Sequence, residues 1–100
     1  MSLKIPIDRQ RIEDFCRKWK ISELAFFGSV LREDFRPDSD VDVLVTFTDD
    51  SHWSLLDIVD MIDELKGIFG RDVDLVEKDA IRNPFRRRVI LAECEVFYAA

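Results

Sequence analysis

The chain of 100 residues carries a net charge of -6, with 47% hydrophobic and 36% charged residues, a globular composition that predicts a single domain over residues 1–100. Its longest apolar run is the five residues 96–100, which excludes a membrane-spanning helix and gives no reason to expect a signal peptide. Cys16 and Cys94 predict free thiols in a cytoplasmic protein, and the acidic charge argues against direct sequence-specific nucleic-acid binding.

Acidic residues are concentrated in the middle of the chain. Residues 37–79 contain three Lys or Arg against thirteen Asp or Glu, a net charge of -10, whereas the segments on either side are each net +2. Because like charges repel, this block is either a well-solvated surface or includes carboxylates that converge on cations.

The first third of the chain predicts a helix followed by a strand. Apolar residues at helical spacing indicate a helix over residues 8–20, with Asp8 as its N-cap. Residues 23–27 are typical of a short buried strand that ends at Gly28. One or two helical turns are expected over residues 30–35, followed by a loop.

The remaining elements follow a strand that is rich in β-branched residues, at 41–47. A second helix is predicted over 54–66, with Ser54 and Asp57 as a capping box and Gly67 or Gly70 as its end. The other predicted elements are a turn at 49–51, a strand over 72–77, a helix opened by Asn83 and Pro84, and a final strand over 95–98.

Connection lengths predict how the strands pair. Only eleven residues separate Gly28 from Asp40, too few for an ordinary parallel crossover, so the first two strands are expected to be antiparallel neighbours. Residues 48–71 are long enough for a right-handed crossover, which makes the second and third strands parallel. The predicted fold class is α/β (α+β), a small mixed sheet with flanking helices.

Gly28 and Ser29 form a candidate anion site. They lie where a strand ends and a helical turn begins, so free backbone N–H groups and the helix dipole would favour a phosphate. Gly28 has no side chain to block the approach, and Ser29 adds a hydroxyl donor. A Gly-Ser pair after a strand is also an ordinary turn.

Three carboxylates form a candidate metal site. Asp40 and Asp42 point to one side of the second strand, since they are two residues apart, and Asp-x-Asp also arises by chance in so acidic a chain. On the third strand Asp74 is expected to join them, whereas Asp72 lies nearer the turn and is expected to be solvated. Three such carboxylates can hold two Mg²⁺ ions for an in-line displacement at phosphorus.

These motifs together resemble the signature of the minimal nucleotidyltransferases, a branch of the DNA polymerase β superfamily. That signature is Gly-Ser, ten residues, then Asp-x-Asp, and residues 28–29 and 40–42 fit its spacing. The segment Val73-Asp74-Leu75-Val76 is similar to the context of the third family carboxylate. The resemblance spans roughly residues 22–98 and implies a polymerase β palm-like fold.

The resemblance also implies an activity and a partner. It implies Mg²⁺-dependent transfer of AMP from ATP, with Gly28 and Ser29 holding the triphosphate and Asp40, Asp42 and Asp74 serving as metal ligands and catalytic residues. Proteins of this size that resemble the chain act as antitoxins to HEPN-type ribonuclease toxins, some by transferring AMP to a toxin tyrosine. The implied partner is therefore a HEPN-type protein, with no membrane partner; a homo-oligomer is also compatible with the sequence.

Other interpretations of these sequence features stay open. A catalytically silent module that neutralises its partner by binding would keep the same fold. Arg32, one turn after Ser29, would contact phosphate or pair with a nearby carboxylate. The run Arg86-Arg87-Arg88 is either a solvated helix face or a surface for an acidic partner.

Overall fold

The protein is described by a computed structural model, which covers residues 7–28 and 40–100. In chain order the described elements are α1 (Arg9–Lys18), β1 (Ile21–Phe27), β2 (Val41–Phe47), α2 (Leu55–Phe69), β3 (Val73–Glu77), a 3₁₀ turn (Lys78–Ala80), α3 (Pro84–Glu93) and β4 (Glu95–Ala99). The helical turns expected over 30–35 lie outside the described residues. None of the helices in the described part of the chain is both long enough and apolar enough to cross a bilayer.

The four strands form one mixed sheet in the order β3-β2-β1-β4. β1 and β2 are antiparallel, and β2 and β3 are parallel with α2 as the crossover, as the connection lengths predicted. The final strand was also expected, and the structure shows that it pairs antiparallel with β1. The predicted small mixed sheet with flanking helices is confirmed.

Both faces of the sheet are covered by helices. On one face, Val41, Val43 and Val45 pack with α1 and α2, as the alternation along the strand predicted. The other face has a smaller cluster, in which Leu44 packs with Ile90 of α3. The carboxylates at the start of β2 and β3 therefore belong to the face that carries α3.

Side-chain caps define where the helices begin. Asp8 accepts a hydrogen bond from the Arg11 backbone, and Ser54 and Asp57 form the predicted capping box. The second helix runs past its predicted end at residue 66 and through Gly67. It stops at Gly70, which adopts a left-handed conformation (φ 70°) and donates its N–H to the carbonyl of Lys66.

The two tryptophans pack together between α1 and the start of α2. The rings of Trp19 and Trp53 lie 5.1 Å apart in an edge-to-face arrangement. The indole N–H of Trp53 donates to the carbonyl of Trp19, and that of Trp19 donates to Glu64. Trp53 is thus a packing residue that anchors the start of α2.

The two cysteines differ in burial. Cys16 is fully buried, and burial together with the nearby Glu13 raises its thiol pKa to about 12, against a smaller lowering by Arg17. Cys94 is only half-buried and donates to the Leu91 carbonyl at 3.5 Å. The thiolate is the reactive form of cysteine.

We expect brief treatment of the native protein with iodoacetamide at about pH 8 to label Cys94 and leave Cys16 unmodified. Peptide mass spectrometry measures the labelling of each thiol, and in denaturant both should react. Equal labelling of Cys16 and Cys94 in the native protein would contradict this assignment.

Candidate active site

The candidate site lies at one edge of the sheet, where β1 ends and β2 and β3 begin. These ends meet because β1 runs antiparallel to β2 while β3 runs parallel to it. In the register of the sheet, Asp42 stands between Phe27 on β1 and Asp74 on β3. The strand pairing thus brings together two segments that are far apart in the sequence.

Asp42 and Asp74 are direct cross-strand partners. Paired residues on neighbouring strands point to the same face, and neighbouring strands are about 4.8 Å apart. Asp42 is half-buried and Asp74 is exposed. Their strand neighbours Val41 and Val73 are buried on the opposite face. Two of the three predicted carboxylates therefore share one patch of one sheet face.

Asp40 and Asp72 complete the acidic edge. Asp40 is exposed and lies immediately before β2. The carbonyl of Asp72 accepts a hydrogen bond from the Val41 backbone at 2.9 Å, which fastens the starts of β2 and β3 together. The Asp72 carboxylate is exposed and pairs with Lys66 at 3.6 Å. Its side chain is thus engaged by the end of α2, whereas Asp74 makes no ion pair within the described residues.

Gly28 touches the Asp42 carboxylate from the end of β1. Its backbone is left-handed (φ 73°), a conformation that favours glycine. A Cβ atom at this position would overlap the Oδ2 atom of Asp42. The close approach of the Gly28 backbone to the carboxylate therefore depends on the missing side chain.

Two predicted site residues, Ser29 and Arg32, lie outside the described residues. Among residues 7–28 and 40–100, no three His, Cys, Asp or Glu side chains are gathered closely enough to hold a metal ion. The chemistry of the donor set still suits Mg²⁺, which binds through one or two carboxylates while phosphate and water oxygens fill its other positions. Asp42 and Asp74 supply such a pair.

Comparison with known proteins identifies the family. The family model described as "Nucleotidyltransferase domain" matches residues 9–97, from the first helix into the last strand. The chain belongs to the nucleotidyltransferase domain family. Protein adenylyltransferase MntA of Thermococcus cleftensis is 33% identical over 73 residues, which are 73% of this chain and 72% of that protein. A Methanocaldococcus jannaschii protein with the provisional name of protein adenylyltransferase is 34% identical over 73 residues, 73% of each chain. The enzyme class predicted from the motif is confirmed.

Solved structures show the same nucleotidyltransferase fold. A toxin–antitoxin complex crystallised with AMP-PNP contains a chain that aligns with a TM-score of 0.75 and 18% identity, over 94% of this chain and 75% of that chain. A structure with the provisional name of minimal nucleotidyltransferase aligns with a TM-score of 0.71 and 32% identity, over 87% of this chain and 86% of that chain. The predicted family resemblance and fold class are both confirmed.

Sequence analysis missed one exposed surface, the outer face of α3. Phe85 is 78% exposed and Val89 is 54% exposed, although both are apolar. The signal was their spacing of four residues, out of phase with Ile90, which is buried. The three consecutive arginines between Phe85 and Val89 hide this spacing in the sequence.

Proposed function

We propose that this nucleotidyltransferase moves AMP from ATP, with Mg²⁺, to a tyrosine hydroxyl of a HEPN-type toxin and so acts as its antitoxin. The observation that carries the proposal is the cross-strand pair of Asp42 and Asp74 beside the bare backbone of Gly28. Two carboxylates on one sheet face, one of them against a glycine backbone, supply the oxygen ligands that metal-assisted transfer to a hydroxyl needs.

The names of similar proteins support the choice of donor and acceptor. Relatives at 33–34% identity are named protein adenylyltransferases. One structural neighbour, at 18% identity and a TM-score of 0.67, is an MNT antitoxin in complex with a tri-AMPylated Shewanella oneidensis HEPN toxin. A shared acceptor class is the simplest extension of these names to this chain.

Each site residue has a proposed role in the reaction. Asp42 and Asp74 would hold Mg²⁺, with Asp40, just before β2, proposed as a further ligand. The bound ions would neutralise the triphosphate and make the acceptor hydroxyl easier to deprotonate. Gly28, which has no side chain, lets the Asp42 carboxylate lie against the end of β1, and Gly28, Ser29 and Arg32 are proposed to bind the phosphates. Asp74, the most exposed of the paired carboxylates, would assist removal of the hydroxyl proton.

The reaction is a single displacement at the α-phosphorus of ATP. The acceptor oxygen forms a bond to that phosphorus, the bond to the bridging oxygen breaks, and pyrophosphate leaves. The proton of the hydroxyl passes to a carboxylate of the site and then to water. The protein contributes mainly positioning and charge neutralisation.

The test is incubation of the purified chain with α-labelled ATP, Mg²⁺ and a HEPN-type protein from the same organism. We expect label on the HEPN-type protein and a mass increase of one AMP per modified tyrosine. Label transfer should stop when EDTA removes the metal. The proposal would be overturned if neither chain gained AMP under conditions in which the two form a complex.

A silent binding module is the competing function, and the double variant Asp40→Asn/Asp42→Asn separates the two. If the chain is an enzyme, the variant still binds the HEPN-type protein but no longer protects cells from it. Protection by the variant equal to that of the wild type would instead support neutralisation by binding alone.

A further inference from the structure

We propose that the outward face of α3 is the docking surface for the protein that receives AMP, and that this protein presents an apolar groove with acidic residues at its rim. This inference rests on the proposed function, since it names where that function's partner binds. The surface consists of an apolar ridge and the arginines beside it. The ridge is formed by Phe85, Val89 and Ala92, and we call these three residues the α3 ridge.

The α3 ridge points directly away from the core. Its three residues are spaced i, i+4, i+7, which places them on one side of a helix. The opposite side of α3 supplies Ile90, Leu91 and Cys94 to the smaller core cluster. All three ridge residues are exposed. α3 is therefore apolar on two sides, and only the side that faces the core packs against other described residues.

Arginines flank the ridge, and Glu93 follows it at the C-terminal end of α3. Residues 80–92 contain four arginines and no acidic residue, although the chain as a whole has a net charge of -6. Arg82, Arg86 and Arg88 are exposed, and none makes an ion pair within residues 7–28 and 40–100. Arg87 is engaged, because it donates to the Lys78 carbonyl at 2.7 Å. Arginines beside an apolar ridge fit a partner with acidic groups around an apolar groove.

The position of α3 relative to the candidate site favours the acceptor protein as the occupant. Leu44 and Val76, which lie under α3, each follow a site carboxylate, Asp42 or Asp74, by two residues. Residues two apart on a strand share a face, so α3 and the carboxylates lie on the same face of the sheet. α3 ends at Glu93, and the next strand begins at Glu95 opposite Phe26, near the site edge. A protein bound along the ridge would therefore reach the carboxylates without crossing the sheet.

The chain has a second exposed apolar surface, which serves as a control. Leu55, Leu56 and Val59 of α2 are 59–83% exposed. α2 packs on the opposite face of the sheet, through Met61 and Leu65. Its neighbours Asp57 and Asp60 are acidic. A partner held on α2 would be on the wrong side of the sheet to present a hydroxyl to Asp42.

A second copy of the chain is a less favourable occupant. Two copies related by a two-fold axis through α3 would bring like-charged arginines together. Contact between α3 of one copy and α2 of the next would match the charges, but such a head-to-tail contact closes only if it generates a ring. An acidic partner meets neither difficulty.

The experiment measures the affinity of the chain for a HEPN-type protein from the same organism, by titration calorimetry at low and high salt. Three variants are compared with the wild type: Phe85→Ser/Val89→Ser, Arg86→Glu/Arg88→Glu, and the control Leu55→Ser/Leu56→Ser.

Loss of a central apolar anchor weakens an interface by roughly 30-fold or more, and we expect that effect for the first variant. The second should also bind more weakly and lose much of the salt dependence of the wild type. The control should bind like the wild type.

Binding of a nonhydrolysable ATP analogue with Mg²⁺ to each isolated variant, together with its thermal melting, reports folding and the nucleotide site separately. If AMP transfer to the partner proceeds but both α3 variants bind it normally, the docking surface is wrong while the proposed function stands. If the α3 variants lose binding but the wild type transfers no AMP, the surface stands and the proposed chemistry fails. Absence of any complex with the wild type overturns the docking proposal, as does self-association that only the α3 variants abolish.

Discussion

Replacement of Asp42 by asparagine is expected to lower the rate of AMP transfer about 1,000-fold or more, because it removes the central negative charge of the proposed metal site. Asparagine has nearly the same shape, so the cross-strand position beside Gly28 and Asp74 is kept while a strong oxygen ligand becomes a weak one. Asp74→Asn should have an effect of the same kind. Initial rates of label transfer to the HEPN-type protein, at saturating ATP and Mg²⁺, provide the measurement.

Asp72→Asn is the matched control for these variants. Asp72 directly precedes β3, the strand that carries Asp74, but its carboxylate is exposed and pairs with Lys66 at 3.6 Å. An exposed ion pair of this kind contributes about 1 kcal/mol or less to stability. We therefore expect Asp72→Asn to retain activity within about twofold and to melt like the wild type. Equal inactivation by Asp72→Asn and Asp74→Asn would show that negative charge at this edge matters, not the register of the pair.

Replacement of Gly28 by alanine is expected to remove most of the activity and to lower stability moderately. The new Cβ would overlap Oδ2 of Asp42, and the carboxylate at the end of a short side chain has to move aside. Displacement of a catalytic group by about 1 Å can cost about 100-fold in rate. The backbone strain of a left-handed alanine adds about 1–2 kcal/mol of destabilisation.

Gly70→Ala separates strain from displacement. Gly70 has almost the same φ, 70° against 73° at Gly28, but among the described residues beyond its chain neighbours no atom lies within 4 Å of a Cβ built on it. The two variants should lower the melting temperature by similar amounts, about 4–8 °C per kcal/mol for a domain of this size. Only Gly28→Ala should lose transfer activity and binding of the ATP analogue. Loss of activity in both, in proportion to stability, would show that Gly28 acts only through the fold.

Much of the fold was predictable because its signals are local. The apolar stripe of α1, the capping box at Ser54 and Asp57, and the β-branched run of β2 each depend on residues within a few positions of one another. Helical and strand periods convert such patterns directly into elements. The antiparallel and parallel pairings followed from connection lengths, which are also read along the chain.

The end of α2 shows where local signals run out. Gly67 and Gly70 are equally good as helix ends by residue type, so the sequence predicted a helix over 54–66 and left its end open between the two glycines. The structure continues it to Phe69, with Ile68 and Phe69 both packed against the main core cluster. Contacts with distant residues outweigh the cost of a glycine inside a helix, about 1 kcal/mol.

The sequence alone determined the family, the kinds of side chain available for chemistry, and which of them share one side of a strand, because motif spacing and strand alternation are properties of neighbouring residues. Only the tertiary structure decided that Asp42 pairs with Asp74, while the Asp72 side chain pairs with Lys66. It also decided that β4 lies beside β1 and that α3 covers the face of the sheet that carries the carboxylates. Those features depend on register and on packing between segments distant in the chain, since a shift of one residue reverses which face every side chain occupies.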